Sequence, residues 1–209
     1  MRQEALDKAR EDPRGTAARI LDAAEDVFAE EGYGAASTRE IARRARVPFG
    51  ALHYHWGSKK QLWEAVFKRL GERTRETIMR NLRPGNTRRE LADNLVDSFL
   101  DLLVAHPNTT RLAYRMCLER EELHLRSVRD MFGELAQFGI GVIRDNMPDV
   151  VIDVPAAIFV ISSAFIASLA DVDGQEDLLG GSVYTSREAR DRLRSQLKRF
   201  AHLVFDVTD

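Results

Sequence analysis

The chain of 209 residues is 44% hydrophobic and 31% charged, with 13 Gly and 6 Pro. That mixture excludes wholesale disorder, collagen and low-complexity scaffolds, and leaves one large or two small globular domains. The lone cysteine, Cys117, excludes an internal disulfide, the net charge of -2 predicts no polyanion partner by itself, and the first residues lack the apolar stretch of a secretory signal, so the expected compartment is the cytoplasm.

From Thr16 to Glu31 the residues Ile20, Ala24, Val27 and Phe28 recur at helical spacing, and Gly32 stands where a helix ends. Ser37-Thr38-Arg39-Glu40 reads as a capping box that opens a very short helix through about Ala45. Pro48 suits a first helical turn, where its missing N–H costs nothing, so a second short helix is expected from Pro48 to Trp56, with Leu52 and Trp56 facing inward. Ser58-Lys59-Lys60-Gln61 is a further box, opening a longer helix to about Leu82 that carries Leu62, Val66, Phe67 and Leu70 along one side.

Pro84-Gly85-Asn86 breaks the pattern and marks a domain boundary. Thr87-Arg88-Arg89-Glu90 then caps a helix through His106 with the stripe Leu91, Leu95, Phe99, Leu102 and Leu103, which Pro107 stops. Leu112, Met116 and Cys117 mark a shorter helix, and Leu125, Val128, Phe132, Leu135 and Ile143 a longer one. The uncharged run from Val154 to Ala170 falls short of the ~20 residues that span a bilayer and reads as a buried helix. The last helix begins at Thr185-Ser186-Arg187-Glu188 and buries Leu193, Leu197, Phe200, Ala201 and Val204. No segment shows sustained strand alternation, so the expected fold is all-α with about nine helices. Residues 1–15 form an arm of alternating charge, 16–70 a first domain with a connecting helix to 82, and 86–209 a second helical domain.

The charge is unevenly spread. Between Gly32 and Leu70 eight Lys and Arg residues stand against two Glu, a local surplus suited to phosphate attraction on an otherwise acidic chain. The same segment holds two short helices separated by Arg46-Val47, the order of a helix-turn-helix unit. A major groove about 12 Å wide admits one helix, so the start of the second helix must present small or polar groups. Pro48, Phe49, Gly50 and Ala51 stand there: Gly50 allows close backbone approach, and Phe49 and Ala51 suit a thymine methyl. His53, Tyr54, His55 and Lys59 follow as candidate donors to the sugar–phosphate backbone.

The stretch Thr16 to Phe67 resembles the DNA-binding domain of TetR-family transcriptional regulators, above all in Thr38-Arg39-Glu40-Ile41-Ala42, in Val47-Pro48-Phe49-Gly50-Ala51-Leu52-His53-Tyr54-His55-Trp56 and in Gly57-Ser58-Lys59-Lys60-Gln61-Leu62. The resemblance implies an N-terminal three-helix helix-turn-helix DNA-binding domain followed by a C-terminal helical ligand-binding and dimerisation domain. It implies phosphate contacts for Thr38, Tyr54, His55 and Lys59, and groove or base contacts for Arg39, Phe49, Gly50, Ala51 and His53. It further implies a homodimer on a near-palindromic operator in double-stranded DNA, released by a small effector, hence a repressor. Two positions depart from the family pattern. Arg46 replaces the usual Gly at a turn that can require a left-handed backbone, at a cost of roughly 1 kcal/mol, and His53 replaces the usual Tyr.

The expected effector pocket is a largely apolar set, Phe99, Leu103, His106, Tyr114, Cys117, Phe132 and Phe165, suited to a small apolar ligand. The expected dimer interface uses the last two long helices through Ile158, Ile161, Phe165, Leu193, Leu197, Phe200 and Val204, the alternative being packing within one chain. No catalytic residue, metal ligand set or cofactor is expected. His53 and His55, two apart on a helix, point about 200° from each other. Glu121 and His124 supply only one copy of a di-iron spacing that needs two. Gly139-Ile140-Gly141 reads as a close helix crossing rather than a dinucleotide loop, and no membrane partner is expected. A protein-binding helical adaptor and a helical-bundle enzyme are the competing classes, and the second lacks a convergent nucleophile and base.

Overall fold

The computed structural model describes residues 13–82, 87–118 and 125–205. Among them are ten helices and no strand. They are α1 (Pro13–Ala35), α2 (Thr38–Arg44), α3 (Phe49–Trp56), α4 (Lys59–Asn81), α5 (Arg88–Ala105), α6 (Pro107–Leu118), α7 (Leu125–Asn146), α8 (Val154–Ala170), α9 (Val172–Leu179) and α10 (Arg187–Val204). Contacts divide the chain into two compact units, Met1–Leu70 with Arg115–Arg129, and Gly71–Tyr114 with Asp130–Asp209.

In the first unit the helical stripe of α1 is buried as its spacing demands: Ile20, Ala24, Val27 and Phe28 are wholly inaccessible. They meet Ile41 of α2, Leu52 of α3, and Leu62, Val66 and Phe67 of α4, all buried. Trp63 sits at the centre. Its ring lies 4.9 Å edge-on from Phe28, 5.3 Å from Tyr33 and 4.6 Å from Phe67, a set of aromatic contacts that adds specific geometry to area burial. Gly32 does not end α1 but kinks it, with φ 76° and ψ 172°, before the last turn.

Local signals set the boundaries, with corrections. Ser37 is the N-cap of α2, yet its side chain makes no capping hydrogen bond. Glu40, the expected box partner, is drawn forward instead to Arg43 and Arg44 by charge-assisted hydrogen bonds at 2.6 to 2.8 Å. The boxes at α4 and α5 form: Ser58 Oγ accepts from the Gln61 N–H while Gln61 Oε1 accepts from the Ser58 N–H, and Thr87 and Glu90 do the same. Pro107 opens α6 rather than only stopping α5, because a first helical residue needs no N–H. The last helix is capped by Ser186, not Thr185, and the Ser186 hydroxyl accepts from the Ala189 N–H.

The second unit has a core built from Leu91, Val96, Leu100 and Leu103 of α5, Ile140 and Ile143 of α7, Phe165 and Leu169 of α8, and Leu193, Leu197 and Ala201 of α10. Helices α5 and α10 are further joined by a ladder of charged and polar side chains at four-residue spacing. Asp93 meets His202 at 2.8 Å, Asp97 meets Lys198 at 2.7 Å, and Asp101 meets Arg194 at 2.6 Å. The ladder runs in opposite senses along the two helices. Helix α9 was not expected: at eight residues it is too short to show a period. Asp171 caps it by accepting from the Gly174 N–H, and buried Gln175 ties it down by donating to the Ser168 carbonyl and accepting from the Val183 N–H. Helix α8 is not the buried helix its composition suggests. Only Val154, Ala157, Phe165 and Leu169 are buried, whereas Phe159 is 71% and Val160 44% exposed.

Candidate functional site

The turn between α2 and α3 is a Schellman closure. The Arg46 N–H donates to the Arg43 carbonyl and the Val47 N–H to the Ala42 carbonyl, at 3.1 and 3.0 Å. That geometry puts the intervening residue in the left-handed region, and Arg46 has φ 56°, alone among the described non-glycine residues in being positive. The turn therefore holds the backbone the sequence pointed to, with an arginine in a glycine's place. Gly57 closes the other end of α3 in a γ-turn, φ 65° and ψ -72°, with the Ser58 N–H on the Trp56 carbonyl at 2.7 Å. A Cβ there would meet Gln61 Oε1 at 2.4 Å, so Gly57 also makes room for the box that starts α4.

Between these two turns α3 presents one exposed face. Phe49, Gly50, His53 and Tyr54 are exposed, Tyr54 at 71%, and Arg39 of α2 stands beside them. The Arg39 guanidinium lies 5.9 Å from the Phe49 ring centroid, and the Phe49 ring meets the His53 imidazole edge-on at 4.8 Å. Arg39, Phe49 and His53 thus form one contiguous row. His53 Nδ1 is 2.9 Å from the Gly57 carbonyl. A carbonyl only accepts, so Nδ1 carries the proton, and the neutral ring is left with Nε2 as an acceptor. In that state His53 suits an exocyclic base amine, not a phosphate oxygen.

The remaining expected contacts are placed differently from one another. Thr38, Pro48, His55 and Lys59 are half-buried. His55 has its Nε2 buried without a hydrogen-bonding partner. Lys59 Nζ stands 4.5 Å over the Tyr33 ring and donates to the Gly34 carbonyl at 3.2 Å, so it anchors the end of α1 as well as facing outward. Ala51 is a correction: it is 3% exposed and lies with Leu52 on the core side of α3, because it sits about 100° round the helix from exposed Gly50. Trp56 is only half-buried.

The basic surplus is also smaller than its composition. Arg43 and Arg44 pair with Glu40, Arg44 also reaches Glu30 at 2.7 Å, and Arg69 pairs with Asp22 and Glu25 of α1. The two arginines beside Glu40 hold its carboxyl down to about 2, far below the usual range. Glu30, Asp22 and Glu25 lie outside the window that showed the surplus, which is why a linear count overstated it. Arg39 and Arg46 stay exposed.

The second unit contains a cavity of about 240 Å³ among α4, α5, α7, α8 and α10. Of the expected pocket residues Phe99, Phe132 and Phe165 line it. Leu103 is packed in the core, His106 ends α5 and Tyr114 is exposed, and these three are not among its lining residues. The Cys117 side chain lies outside the described residues, as do Glu121 and His124. Sequence reasoning missed Leu95, Ile143 and Phe205 in the wall, since periodicity tells a core face from a surface face but not a cavity from a filled core.

The residues expected at a dimer interface fall into three groups in the single chain. Phe165, Leu193 and Leu197 are buried within the chain, Ile158 and Ile161 line the cavity, and Phe200 and Val204 are half-buried. What remains open is the opposite face of α8, where Ala156, Phe159, Val160, Ser163 and Ala167 fall at helical spacing, and Leu203 of α10, which is 81% exposed. A Cβ at Gly139 would meet Ile158 Cδ1 at 3.5 Å, an ordinary contact, and one at Gly141 would meet nothing within 4 Å, so neither position needs a glycine for a close helix crossing. Among the described residues no His, Cys, Asp and Glu cluster suits a metal ion, and no single helix is long and apolar enough to cross a membrane.

A kinked first helix, two short helices around a Schellman turn and an exposed row on the second of them define a helix-turn-helix module. Residues 20–66 match the model of bacterial regulatory proteins of the tetR family, and that match falls on the helix-turn-helix module. It is 51% identical over 55 residues to an HTH-type transcriptional repressor of Mycobacterium tuberculosis, covering 26% of this chain and 29% of that one. It is 32% identical over 105 residues to the HTH-type transcriptional activator FasR of Mycolicibacterium smegmatis, covering 50% of this chain and 47% of FasR. The chain thus matches less than half the length of these curated relatives. In fold it is similar to a TetR-like transcriptional regulator from Rhodococcus sp. RHA1, with a TM-score of 0.68, 22% identity, and coverage of 92% of this chain and 97% of that one. The fatty acid degradation regulator FadR from Bacillus halodurans gives a TM-score of 0.67 at 16% identity, covering 92% and 99%. These relatives and neighbours are regulators, not enzymes.

Proposed function

We propose that the chain is a DNA-binding transcriptional repressor of the cytoplasm that reads a near-palindromic operator as a homodimer and is released by a small, largely apolar effector. The observation that carries this reading is the exposed row formed by Arg39 of α2 with Phe49 and His53 of α3, continued by Gly50 and Tyr54 of α3. Arg39 supplies a bidentate donor for guanine, Phe49 an apolar contact for a thymine methyl, and His53 an acceptor for a base amine. Thr38, Tyr54, His55 and Lys59 flank the row and serve the phosphates, which fix register without carrying sequence.

Pairing follows from the uncovered stripe of α8. Small residues at Ala156, Ser163 and Ala167 admit a close helix approach while Phe159, Val160 and Leu203 bring apolar bulk, and a second copy buries the same stripe symmetrically. Two heads then stand about 34 Å apart, one turn of duplex. An occupant of the 240 Å³ cavity that favours a different separation of the heads lowers operator affinity by that preference alone.

Selection from random duplexes with the full chain tests the reading. Enrichment of a near-palindrome, bound by a dimer and not by the Phe159→Glu, Leu203→Glu double variant, supports it. Enrichment of nothing above non-specific affinity overturns it, and an operator that raises transcription when occupied replaces the repressor with an activator.

A further inference from the structure

The cavity wall says what kind of molecule fits, an inference that rests on the effector reading above. Nineteen of the described residues line the cavity, and none of these carries a charge. Its polar side chains are Thr74 and Ser162, and its aromatic ones Phe99, Phe132, Phe165 and Phe205. A carboxylate or ammonium inside it would give up its hydration and find no counter-charge among these residues.

Size narrows the class. An apolar cavity of about 150 Å³ takes one benzene ring, so 240 Å³ scales to about ten carbon atoms, or two fused rings. Phe99 and Phe165 already meet edge to face with ring centroids 5.1 Å apart, and an aromatic guest extends that arrangement. The Ser162 hydroxyl donates to the Phe159 carbonyl at 3.1 Å, so what its oxygen still offers is a lone pair. The matching group on a ligand is therefore a donor.

We propose that the effector is a neutral bicyclic aromatic alcohol or phenol of about ten carbons, bound in the apolar wall with its hydroxyl donating to Ser162, and that ionised acids of the same size are rejected. Calorimetry on the full chain at pH 7 tests this with 1-naphthol, naphthalene and 1-naphthoate as probes. The expected order is naphthol tightest, naphthalene about threefold to tenfold weaker for want of one hydrogen bond, and naphthoate at least about a hundredfold weaker for an unpaired buried charge. In Ser162→Ala the advantage of naphthol over naphthalene disappears while naphthalene binding is kept. In Ala136→Phe, which fills the cavity, both are lost. Naphthoate binding as tightly as naphthol, an unchanged naphthol-to-naphthalene ratio in Ser162→Ala, or no heat from any probe overturns the inference. Binding is read without DNA, so an inference that fails here leaves operator selection untouched. Conversely, naphthol that binds as expected without loosening the operator complex supports the ligand class and overturns only the effector role.

Discussion

Replacing Arg46 with glycine should stabilise the amino-terminal unit. The residue has φ 56°, with both Schellman hydrogen bonds of the turn already made at 3.0 and 3.1 Å, so what glycine relieves is backbone strain and not a missing partner. A left-handed backbone costs a non-glycine residue about 1–2 kcal/mol, and glycine gives back roughly 0.5–1 kcal/mol through its freer unfolded chain. The net expectation for Arg46→Gly is a gain of about 0.5–1 kcal/mol. Arg46→Ala is the control, because it removes the same charge and keeps the strain. Both tryptophans of the chain, Trp56 and Trp63, lie in this unit, so urea denaturation followed by tryptophan fluorescence reads its stability alone. A glycine variant no more stable than the alanine variant would refute the reasoning.

Three further expectations concern the two units separately. Removing the middle rung of the charge ladder, Asp97→Ala, should cost the second unit about 0.5–1 kcal/mol in dilute buffer and nearly nothing in 1 M salt, since these side chains are about one-third exposed and screened; urea midpoints at the two salt levels check it. Glu40 titrates near 2 in the folded chain, below its unfolded value, so its pairing with Arg43 and Arg44 stabilises at neutral pH and is lost as pH falls from the ordinary carboxylate range toward 2. An NMR titration of the Glu40 carboxyl should place its midpoint there, and Glu40→Gln should remove that part of the acid limb. Arg39→Ala should cost about 1–3 kcal/mol in operator affinity and relax the preference at one base pair per half-site, read by anisotropy on single-base operator variants.

The fold was legible where apolar spacing and caps agreed. The stripes of α1, α4 and α5 and the boxes at Ser58 and Thr87 needed nothing beyond local chemistry. The failures share a physical cause, competition from partners distant in sequence or position. Ser37 lost its box because Glu40 found two arginines, and the surplus of charge shrank because Glu30, Asp22 and Glu25 of α1 answer Arg44 and Arg69. The row on α3 was legible as a group, yet the inward turn of Ala51 and the fixed tautomer of His53 required coordinates. For the last two long helices, the chain itself buries Phe165, Leu193 and Leu197 of the stripe expected to pair, while Phe159 and Val160 on the other face of α8 stay open, a ranking periodicity cannot make because both faces are apolar.

Salt dependence of operator affinity tests the central claim most directly. With Arg46 and Lys59 the cations that serve phosphate at each head, a dimer neutralises about four phosphates, and the slope of log K against log[salt] should be about -4. Lys59→Ala should make it shallower by about 2, one phosphate lost at each head. A slope near zero, or a full chain that ignores duplex DNA in dilute buffer, would contradict the account.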